Sequence, residues 1–525
     1  MAFGFLLLFN LGNIPGLHTD ETNYMNEVIS KANFGTDIHG LKHPIYFASV
    51  WGQGQSVLYS WIVTPFIKLW GFSIFLFRLP MALLTILTIL GTVLSLYFTS
   101  KDKWFSFCIT LAMVTTPWFF ISGRWVLDAN ISPIFVMLGL IFMYISTVNT
   151  SQPKRYVFLL CSAILLSLSA YGYVASWLYL PFLITMLFFT GLLKKWFSIK
   201  EMLAWSLVIL ILVFPLIVFA YRVNVQHIDK ITRFMFLDLP YLQANRVSSL
   251  ISTDGSILAN IKENIIIGIQ QVGLGSDHLP QNSAYPYGVI FPLMLVFTVI
   301  GMFGKKTFIN NNVSNFRVIM LEALITFIPG IMIIRPNYNH WNFLWFPLAV
   351  LTGYGLYLSF QAVGKLGKTM LVVAPIAMFV LFSFNSYFGF NHKDTTFNDS
   401  LGSVNETKHI DNLMHTKFKN HSLYIENLSS NFNNFRLVEH PINSSQYLEM
   451  QHGVKRDKNK IVPSPAHAYG YLRDGYDIAK AKHGDEAMIF DANLNSPGSI
   501  ATDKQWHLVK DTYFNHQKVE IFQKE

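Results

Sequence analysis

Apolar stretches of about twenty residues recur from the N-terminus to near Phe388, and they constrain the fold more than any other feature of this chain. Each is long enough to cross about 30 Å of hydrocarbon as an α-helix. The composition agrees, because 13% of the residues are charged, against roughly 25% in soluble domains. The sequence therefore predicts an α-helical polytopic membrane protein.

We expect about eleven transmembrane helices, each followed by a short loop or a larger outer segment. The expected spans are residues 1–12, 79–99, 104–121, 131–147, 157–171, 173–190, 202–221, 286–303, 317–334, 341–360 and 369–388. The first of these is short and lacks flanking positive charge, so we expect that residues precede Met1 in the full protein. It has no basic n-region or small-residue cleavage site and does not resemble a cleavable signal peptide.

Basic residues in short loops set the orientation, because Lys and Arg concentrate on the cytoplasmic side. The clusters are Lys101 and Lys103, Lys154 and Arg155, Lys194, Lys195 and Lys200, Lys305, Lys306 and Arg317, and Lys365 and Lys368. With the N-terminus inside, all five clusters are cytoplasmic. The first outer loop (13–78), the long outer loop (222–285) and the tail then face outward from a bacterial plasma membrane.

The net charge of +9 does not indicate a nucleic-acid partner. Residues 1–391 hold 23 of the 39 Lys and Arg and 13 of the 30 Asp and Glu, so the excess follows the cytoplasmic loops. The two cysteines, Cys108 and Cys161, lie inside apolar stretches, which excludes a disulfide framework.

The first outer loop carries an adjacent acidic pair, Asp20-Glu21, just after the first apolar stretch. A carboxylate at a bilayer face is kept in water or used, because burial in hydrocarbon costs several kcal/mol. We expect Thr19 to cap a helix that runs to Phe34, with both acids in its first turn. Residues 56–70 are amphipathic and rich in aromatic residues, as in a helix along the membrane surface.

The tail, residues 391–525, has mixed charge and short alternating runs at 422–426, 487–491 and 518–522. Such runs are typical of strands, so we expect a soluble extracytoplasmic α/β or α+β domain. The transmembrane domain would then comprise residues 1–390.

Several segments resemble polytopic lipid-linked-sugar glycosyltransferases of the glycosyltransferase C superfamily. They are Leu17-His-Thr-Asp-Glu-Thr-Asn-Tyr24, Gly35-x-Asp37-x-x-Gly40-x-x-x-Pro44-x-Tyr46, Trp51-Gly-Gln-Gly-Gln-Ser-Val-Leu-Tyr-Ser60, Phe77-Arg78-Leu-Pro80, Ser122-Gly-Arg-Trp-Val-Leu-Asp-Ala-Asn130 and Ala170-Tyr-Gly-Tyr173. This superfamily includes protein O-mannosyltransferases and bacterial aminoarabinose transferases. The resemblance covers the membrane region to about residue 390, and we find no comparable match for the tail.

The resemblance implies an inverting transfer of one sugar from a polyprenyl-phosphate carrier to an envelope acceptor on the outer face. Asp20 matches the loop acid of the superfamily and would be the base that deprotonates the acceptor hydroxyl. Glu21 would support Asp20 or orient the acceptor. The acceptor, whether protein, lipid or glycan, and the sugar are not defined by the sequence.

Cations at the outer ends of spans are candidates to hold the leaving phosphate, because charge returns to it during transfer. They are Arg78, Arg124, Arg335 and His340, to which the resemblance adds Gln53, Gln55 and Tyr59 as donor contacts. The alternative for each arginine is a snorkelling side chain at the lipid headgroups. Asp128 could pair with Arg124 one helical turn away.

Two alternatives stay open at this point. His18, Asp20 and Glu21 could gather a divalent metal, although three donors on one loop do not by themselves define a site. The competing function is a multi-span transporter or lipid flippase, which would show internal repeats and ionisable residues near the bilayer midplane. We find no convincing repeat, and most charges of the membrane region lie at span ends.

Overall fold

The computed structural model of the chain describes residues 2–49, 52–149, 151–243, 256–275, 286–304, 311–389, 401–402, 423–426, 481–490, 503–514 and 517–525. Most of the described residues are helical, and the predicted class of α-helical polytopic membrane protein is confirmed.

The helices are α1 (Ala2–Leu8), α2 (Thr19–Phe34), α3 (Leu58–Trp70), α4 (Ile74–Ser100), α5 (Lys103–Val114), α6 (Pro117–Ser122), α7 (Asp128–Val148), α8 (Gln152–Ala170), α9 (Ser176–Leu193), α10 (Ile199–Asn224), α11 (Ile257–Leu274), α12 (Leu295–Phe303), α13 (Asn311–Ile325), α14 (Ile328–Ile333), α15 (Asn342–Ala362) and α16 (Lys365–Leu381). A 3₁₀ turn at Pro292–Met294 precedes α12, and a π-helical segment at Phe382–Phe388 continues α16.

Eight helical segments of the described chain are long and apolar enough to cross a membrane. They are α4, α7, α8, α9, α10, α13 with α14, α15, and α16 with its π-helical continuation. Each coincides with an expected span, because sustained apolar composition over about twenty residues is the strongest signal in such a chain.

The remaining expected spans are shorter than predicted. The expected helix 104–121 is divided into α5 and α6 at Thr115 and Thr116, because Pro117 cannot continue the backbone hydrogen bonding of α5. The expected span 286–303 contains a helix only from Pro292 to Phe303. The structure does not confirm the number of eleven spans.

The short helix α12 packs against α15 through two glycines. A Cβ atom at Gly301 would lie 1.8 Å from the Leu351 carbonyl oxygen, and one at Gly355 would lie 1.7 Å from the Phe297 carbonyl oxygen. Only glycine allows this backbone approach, which suits membrane helices that associate mainly by close packing.

The described segments outside the eight membrane helices contain short strands as well as helices. β1 (Leu17–His18) pairs antiparallel with β4 (Leu401–Gly402), so the chain beyond α16 returns to the start of α2. β2 (Thr232–Phe234) and β3 (Leu237–Leu239) form a hairpin in the long outer loop.

The C-terminal region contains a four-stranded sheet in the order β5-β6-β8-β7. Its strands are β5 (Leu423–Glu426), β6 (Glu486–Phe490), β7 (Trp506–Phe514) and β8 (Gln517–Lys524). The β5–β6 pair is parallel, and the other pairs are antiparallel. The runs at 422–426, 487–491 and 518–522 are confirmed as strands, while β7 was not predicted. The separation into two domains stays a prediction.

Candidate functional site

The acidic pair begins α2, and His18 rather than Thr19 caps this helix. His18 has an extended backbone, and its Nδ1 accepts the Asp20 backbone N–H at 3.2 Å. The His18 ring lies edge-on to Trp125, and burial lowers the pKa of His18 despite the nearby charges of Asp20 and Glu21. The expected cap at Thr19 is wrong because the imidazole of the preceding residue supplies the acceptor.

Glu21 is fully buried and forms a two-pronged ion pair with Arg78. Its Oε1 accepts Arg78 Nε at 2.8 Å, and its Oε2 accepts Arg78 Nη2 at 2.5 Å. Oε1 also accepts the Val126 backbone N–H at 3.0 Å. Both carboxylate oxygens are therefore committed to protein donors.

The other donors of Arg78 are also occupied. Nη1 donates to the carbonyls of Leu11 at 3.1 Å and Pro15 at 2.8 Å. Nη2 donates to the Gly16 carbonyl at 3.3 Å. Together with the two bonds to Glu21, these contacts use all five N–H donors of the guanidinium, so this arrangement leaves Arg78 none for a phosphate.

Arg124 is also fully buried, against the end of α1. Its Nη1 donates to the carbonyls of Leu6 and Leu7 at 2.5 and 2.7 Å, and its Nη2 to those of Phe9 and Ile14 at 2.7 and 2.9 Å. Carbonyls at a helix C-terminus lack partners within the helix and attract a cation. This explains the position of Arg124, and its expected pairing with Asp128 does not occur in the described structure.

The Asp20 carboxylate differs from that of Glu21 in its burial and in its hydrogen bonding. Asp20 is half-buried, and within the described residues no hydrogen-bond donor contacts its carboxylate. Its backbone carbonyl accepts Gln55 Nε2 at 3.3 Å. The pair thus consists of one committed carboxylate and one carboxylate that keeps its lone pairs for another partner.

The Gln53–Gln55 segment lies in a tight turn beside Asp20. Gln55 and Phe47 exchange two backbone hydrogen bonds of 2.8 and 2.9 Å across this turn. Gly54 has φ +87°, and a Cβ there would lie 2.4 Å from the Tyr46 ring, so only glycine fits. Gln55 is buried against the Asp20 carbonyl, whereas Gln53 is half-buried.

Tyr59 is fully buried in an aromatic cluster with Tyr24 and Phe77. Its hydroxyl donates to the Phe77 carbonyl, one residue before Arg78. This contact supports the segment that carries Arg78 and uses the donor of Tyr59.

A chain of hydrogen bonds links the Gln55 turn to the N-terminal ends of α7 and α15. The Ser56 N–H donates to Asp128 Oδ2 at 3.2 Å, and Asn342 Nδ2 donates to the Ala129 carbonyl. Asn342 begins α15, directly after the loop that contains Arg335 and His340. The loops at the starts of α2, α7 and α15 are therefore packed together.

The guanidinium of Arg335 is free of hydrogen-bond and ion-pair partners among the described residues. Arg335 is exposed, and no described residue bonds to its side chain. Its carbonyl pairs with His340 Nδ1 at 3.0 Å, which closes the loop. Of the three predicted arginines, Arg335 is the one whose guanidinium is exposed, whereas the Nε of Arg124 also lacks a hydrogen-bond partner but is buried.

The suggested metal ligands do not fit a metal ion. Both oxygens of Glu21 accept hydrogen bonds from Arg78, and Nδ1 of His18 accepts one from Asp20. Within the described residues, no group of three or more His, Cys, Asp and Glu side chains is placed to hold a metal.

A second acidic cluster, which the sequence reasoning missed, lies at the other end of α2. Glu27 is fully buried and accepts hydrogen bonds from the Ile38 N–H at 3.0 Å and from Ser49 Oγ. Asp37 is also fully buried and accepts from the N–H groups of His39 at 3.0 Å and Leu41 at 2.7 Å. The Gly35-to-Gly40 turn was the available signal, because it folds Asp37 back toward α2.

Burial sets the charge states of this cluster. It raises the pKa of Glu27 to about 7, and burial together with the Glu27 charge raises the pKa of Asp37. Burial lowers the pKa of His39 to about 3. His39 Nε2 lies 3.9 Å from Glu27 Oε1.

An apolar groove lies between α9 and α10, and we call it the donor groove. It has a volume of about 510 Å³, and Trp177, Leu180, Ile209, Val213, Leu216 and Ala220 are among its lining residues. The Trp177 ring packs against Tyr46, which contacts Gly54 in the turn beside Asp20. The groove thus begins near the acidic loop and continues along apolar surfaces of the two helices.

The structure is similar to ArnT from Cupriavidus metallidurans bound to undecaprenyl phosphate, with a TM-score of 0.61 and 12% sequence identity over 99% of this chain and 96% of that one. The apo form of that ArnT gives a TM-score of 0.59 at the same identity and coverage.

The archaeal oligosaccharyltransferase AglB from Archaeoglobus fulgidus, in complex with an inhibitory peptide and a dolichol-phosphate, has a TM-score of 0.50. It shares 12% identity with this chain over 83% of this chain and 62% of AglB. The sequence matches no protein-family model and no curated protein. These similarities show the fold of the chain.

Proposed function

We propose that this chain transfers a single sugar from a polyprenyl-phosphate carrier to an envelope acceptor on the outer face of the membrane. The observation that carries the proposal is the contrast between Asp20 and Glu21 at the start of α2. Asp20 has a carboxylate without a hydrogen-bond donor among the described residues, while Glu21 holds Arg78 beneath it.

In this mechanism Asp20 is the general base. It takes the proton of the acceptor hydroxyl as that oxygen forms a bond to the anomeric carbon of the sugar. The bond from the anomeric carbon to the phosphate oxygen breaks, and its electron pair stays on the phosphate. Direct displacement inverts the anomeric centre, and the activated phosphate leaves without a second acid.

Arg335 is the proposed partner of the leaving phosphate. Its guanidinium is exposed and uncommitted within the described structure, and its planar fork can bind two phosphate oxygens. Gln53, half-buried in the turn next to Asp20, is the proposed sugar contact. In place of the donor contacts expected from Arg78, Arg124 and Tyr59, we propose that these residues hold the loop and α1 in position.

The donor groove suits the isoprenoid tail of the carrier. Its lining is almost entirely apolar, and Trp177 connects it through Tyr46 to the turn beside Asp20. ArnT, a protein of the same fold, was solved with undecaprenyl phosphate. A carrier whose tail lies in this groove would present its phosphate at the outer end of α9.

The test compares envelope glycans from cells that lack the chain and cells that express wild type, Asp20→Asn or Asp229→Asn. Asp229 is an exposed acid of the long outer loop and serves as the matched control. We expect a component heavier by one sugar with wild type and Asp229→Asn. With Asp20→Asn the transfer rate should fall by at least about 10²-fold, the lower end of general-base contributions, at normal membrane levels. An unchanged rate would contradict the proposal.

A further inference from the structure

A second cavity, which we call the inner cavity, lies between α8 and α10 at the ends opposite to the donor groove. It has a volume of about 380 Å³. Apolar side chains, among them Leu159, Leu160 and Val208, line most of its wall. Besides Glu201, which is described below, Tyr156 and Lys200 are polar residues of the lining at the start of the two helices. Both of these polar residues are exposed.

The topology collects positive charge at the mouth of this cavity. α8 begins, α9 ends and α10 begins at the same membrane face, which brings five basic residues to one corner. They are Lys154, Arg155, Lys194, Lys195 and Lys200. Such a cluster in short loops marks the cytoplasmic side.

Glu201 is the acid that lines the cavity, and it does not neutralise the positive charge that the basic residues present to a ligand. Glu201 accepts hydrogen bonds from Arg155 Nη2, from the Ser198 N–H at 2.7 Å and from Ser198 Oγ at 2.8 Å. Its charge is therefore paired with Arg155 and caps α10. The ammonium of Lys200 forms no such pair among the described residues.

We propose that the inner cavity binds an anionic phospholipid of the cytoplasmic leaflet. An acyl chain fits the apolar wall between α8 and α10, and the phosphate lies at Lys200 and the Tyr156 hydroxyl. A basic mouth over an apolar cavity between membrane helices complements a lipid that joins an anionic headgroup to hydrocarbon. The donor groove lies toward the other end of α10, so the two sites take different lipids.

The experiment measures lipid retained by the full chain after extraction from nanodiscs of phosphatidylcholine and phosphatidylglycerol, using native mass spectrometry. Lys200→Gln removes the headgroup cation, and Ala204→Phe fills the cavity from an exposed position of α10. Lys365→Gln removes a lysine from a different loop predicted to lie on the same membrane side. Ala220→Phe places the same bulk in the donor groove.

We expect wild type to retain phosphatidylglycerol in preference to phosphatidylcholine. Lys200→Gln should lower this preference about fivefold, the equivalent of the roughly 1 kcal/mol that a basic residue contributes at an anionic surface. Ala204→Phe should abolish the preference, while Lys365→Gln and Ala220→Phe should keep it. Equal retention of both lipids by wild type, retention unaffected by Lys200→Gln, or recovery of polyprenyl phosphate from this cavity would overturn the proposal.

Discussion

Glu21 and Arg78 form a fully buried ion pair that joins the first helix of the outer loop to the start of α4. Their two hydrogen bonds connect residues that are 57 positions apart in the sequence. Because Arg78 also holds the carbonyls of Leu11, Pro15 and Gly16, this pair fixes the backbone on both sides of Asp20. Both oxygens of the Glu21 carboxylate, next to the proposed base, are thus bonded to protein donors, and its predicted catalytic role stays a prediction.

Glu21→Gln should therefore damage folding more than Asp20→Asn. Removing one partner of a buried ion pair leaves an uncompensated charge and costs about 3–5 kcal/mol. We expect a lower thermal unfolding midpoint for Glu21→Gln in detergent, with Asp20→Asn close to wild type.

Adding Arg78→Met to Glu21→Gln should recover part of this loss, because the buried charge is then removed. Equal unfolding midpoints for Glu21→Gln and wild type would show that the ion pair does not stabilise the loop.

Substitution of Arg335 and Arg124 should separate donor binding from stability. Arg335→Ala should raise the KM for the lipid-linked donor about tenfold, the equivalent of 1.4 kcal/mol, without changing the unfolding midpoint. Arg335→Lys should give an intermediate KM, because an ammonium keeps the charge but loses the fork.

Arg124→Ala should instead destabilise the protein. Hydrogen bonds to charged groups contribute about 1.5–3 kcal/mol each, and Arg124 donates to four backbone carbonyls. Thermal unfolding and KM measured on the same preparations check both statements. An unchanged KM for Arg335→Ala would remove Arg335 from the site.

A larger side chain in the donor groove should occupy space that the isoprenoid tail needs and so weaken donor binding. Ala220→Phe narrows the groove near its outer end, and we expect a higher KM for the polyprenyl-linked donor. A water-soluble donor with a shortened tail should be used equally by the variant and wild type. Ala204→Phe, which changes the inner cavity, is the control for added bulk on α10. If the KM of Ala220→Phe matched wild type for the long-tailed donor, the tail would lie elsewhere.

The buried cluster at Glu27 predicts a pH dependence of stability. The pKa of Glu27 rises from 4.5 to about 7 on folding, so the folded state holds a proton that the unfolded state has released between these values. The contribution of Glu27 is full below pH 4.5 and declines as the pH rises to about 7. His39 acts in the opposite direction, because its lowered pKa reduces stability as the pH falls from 6.5 toward 3.

A comparison of wild type with Glu27→Gln removes the His39 contribution, because His39 is present in both. The difference reports Glu27 together with its effect on Asp37, whose pKa the Glu27 charge raises. The stability of Glu27→Gln relative to wild type should rise from pH 4.5 to about 7 and then level off. Thermal unfolding at several pH values measures this difference. Parallel curves across that range would show that Glu27 does not change its protonation on folding.

The sequence predicted the spans well because each span depends on local composition over one helix. A helix at residues 56–70 was predicted from its amphipathic, aromatic-rich pattern, and the structure has α3 at Leu58–Trp70. Its position along the membrane surface stays a prediction. The structure differs from the expected spans where a proline interrupts a helix, as at Pro117. Apolar composition alone does not show where a helix is interrupted.

The roles of charged residues were harder to predict, because they depend on partners far along the chain. In a sequence, an arginine at the end of an apolar stretch gives no sign of whether its side chain will be exposed or buried. Arg124 contacts the carbonyl of Leu6, which is 118 positions away, whereas Arg335 has no such partner in the described structure. These residues come close to one another only when α1, α4 and α7 pack together in the folded protein.

The pairing of β1 with β4 imposes an order on biosynthesis. Leu17 is synthesised before the described membrane helices, whereas its partner Gly402 is synthesised after them. Translation proceeds at about 5–20 residues per second. β1, beside Asp20, is therefore unpaired for on the order of tens of seconds before β4 has been synthesised. In a nascent chain β1 therefore has no β4 partner while the described membrane helices are inserted, and the acidic loop gains this strand pair only after those helices have been made.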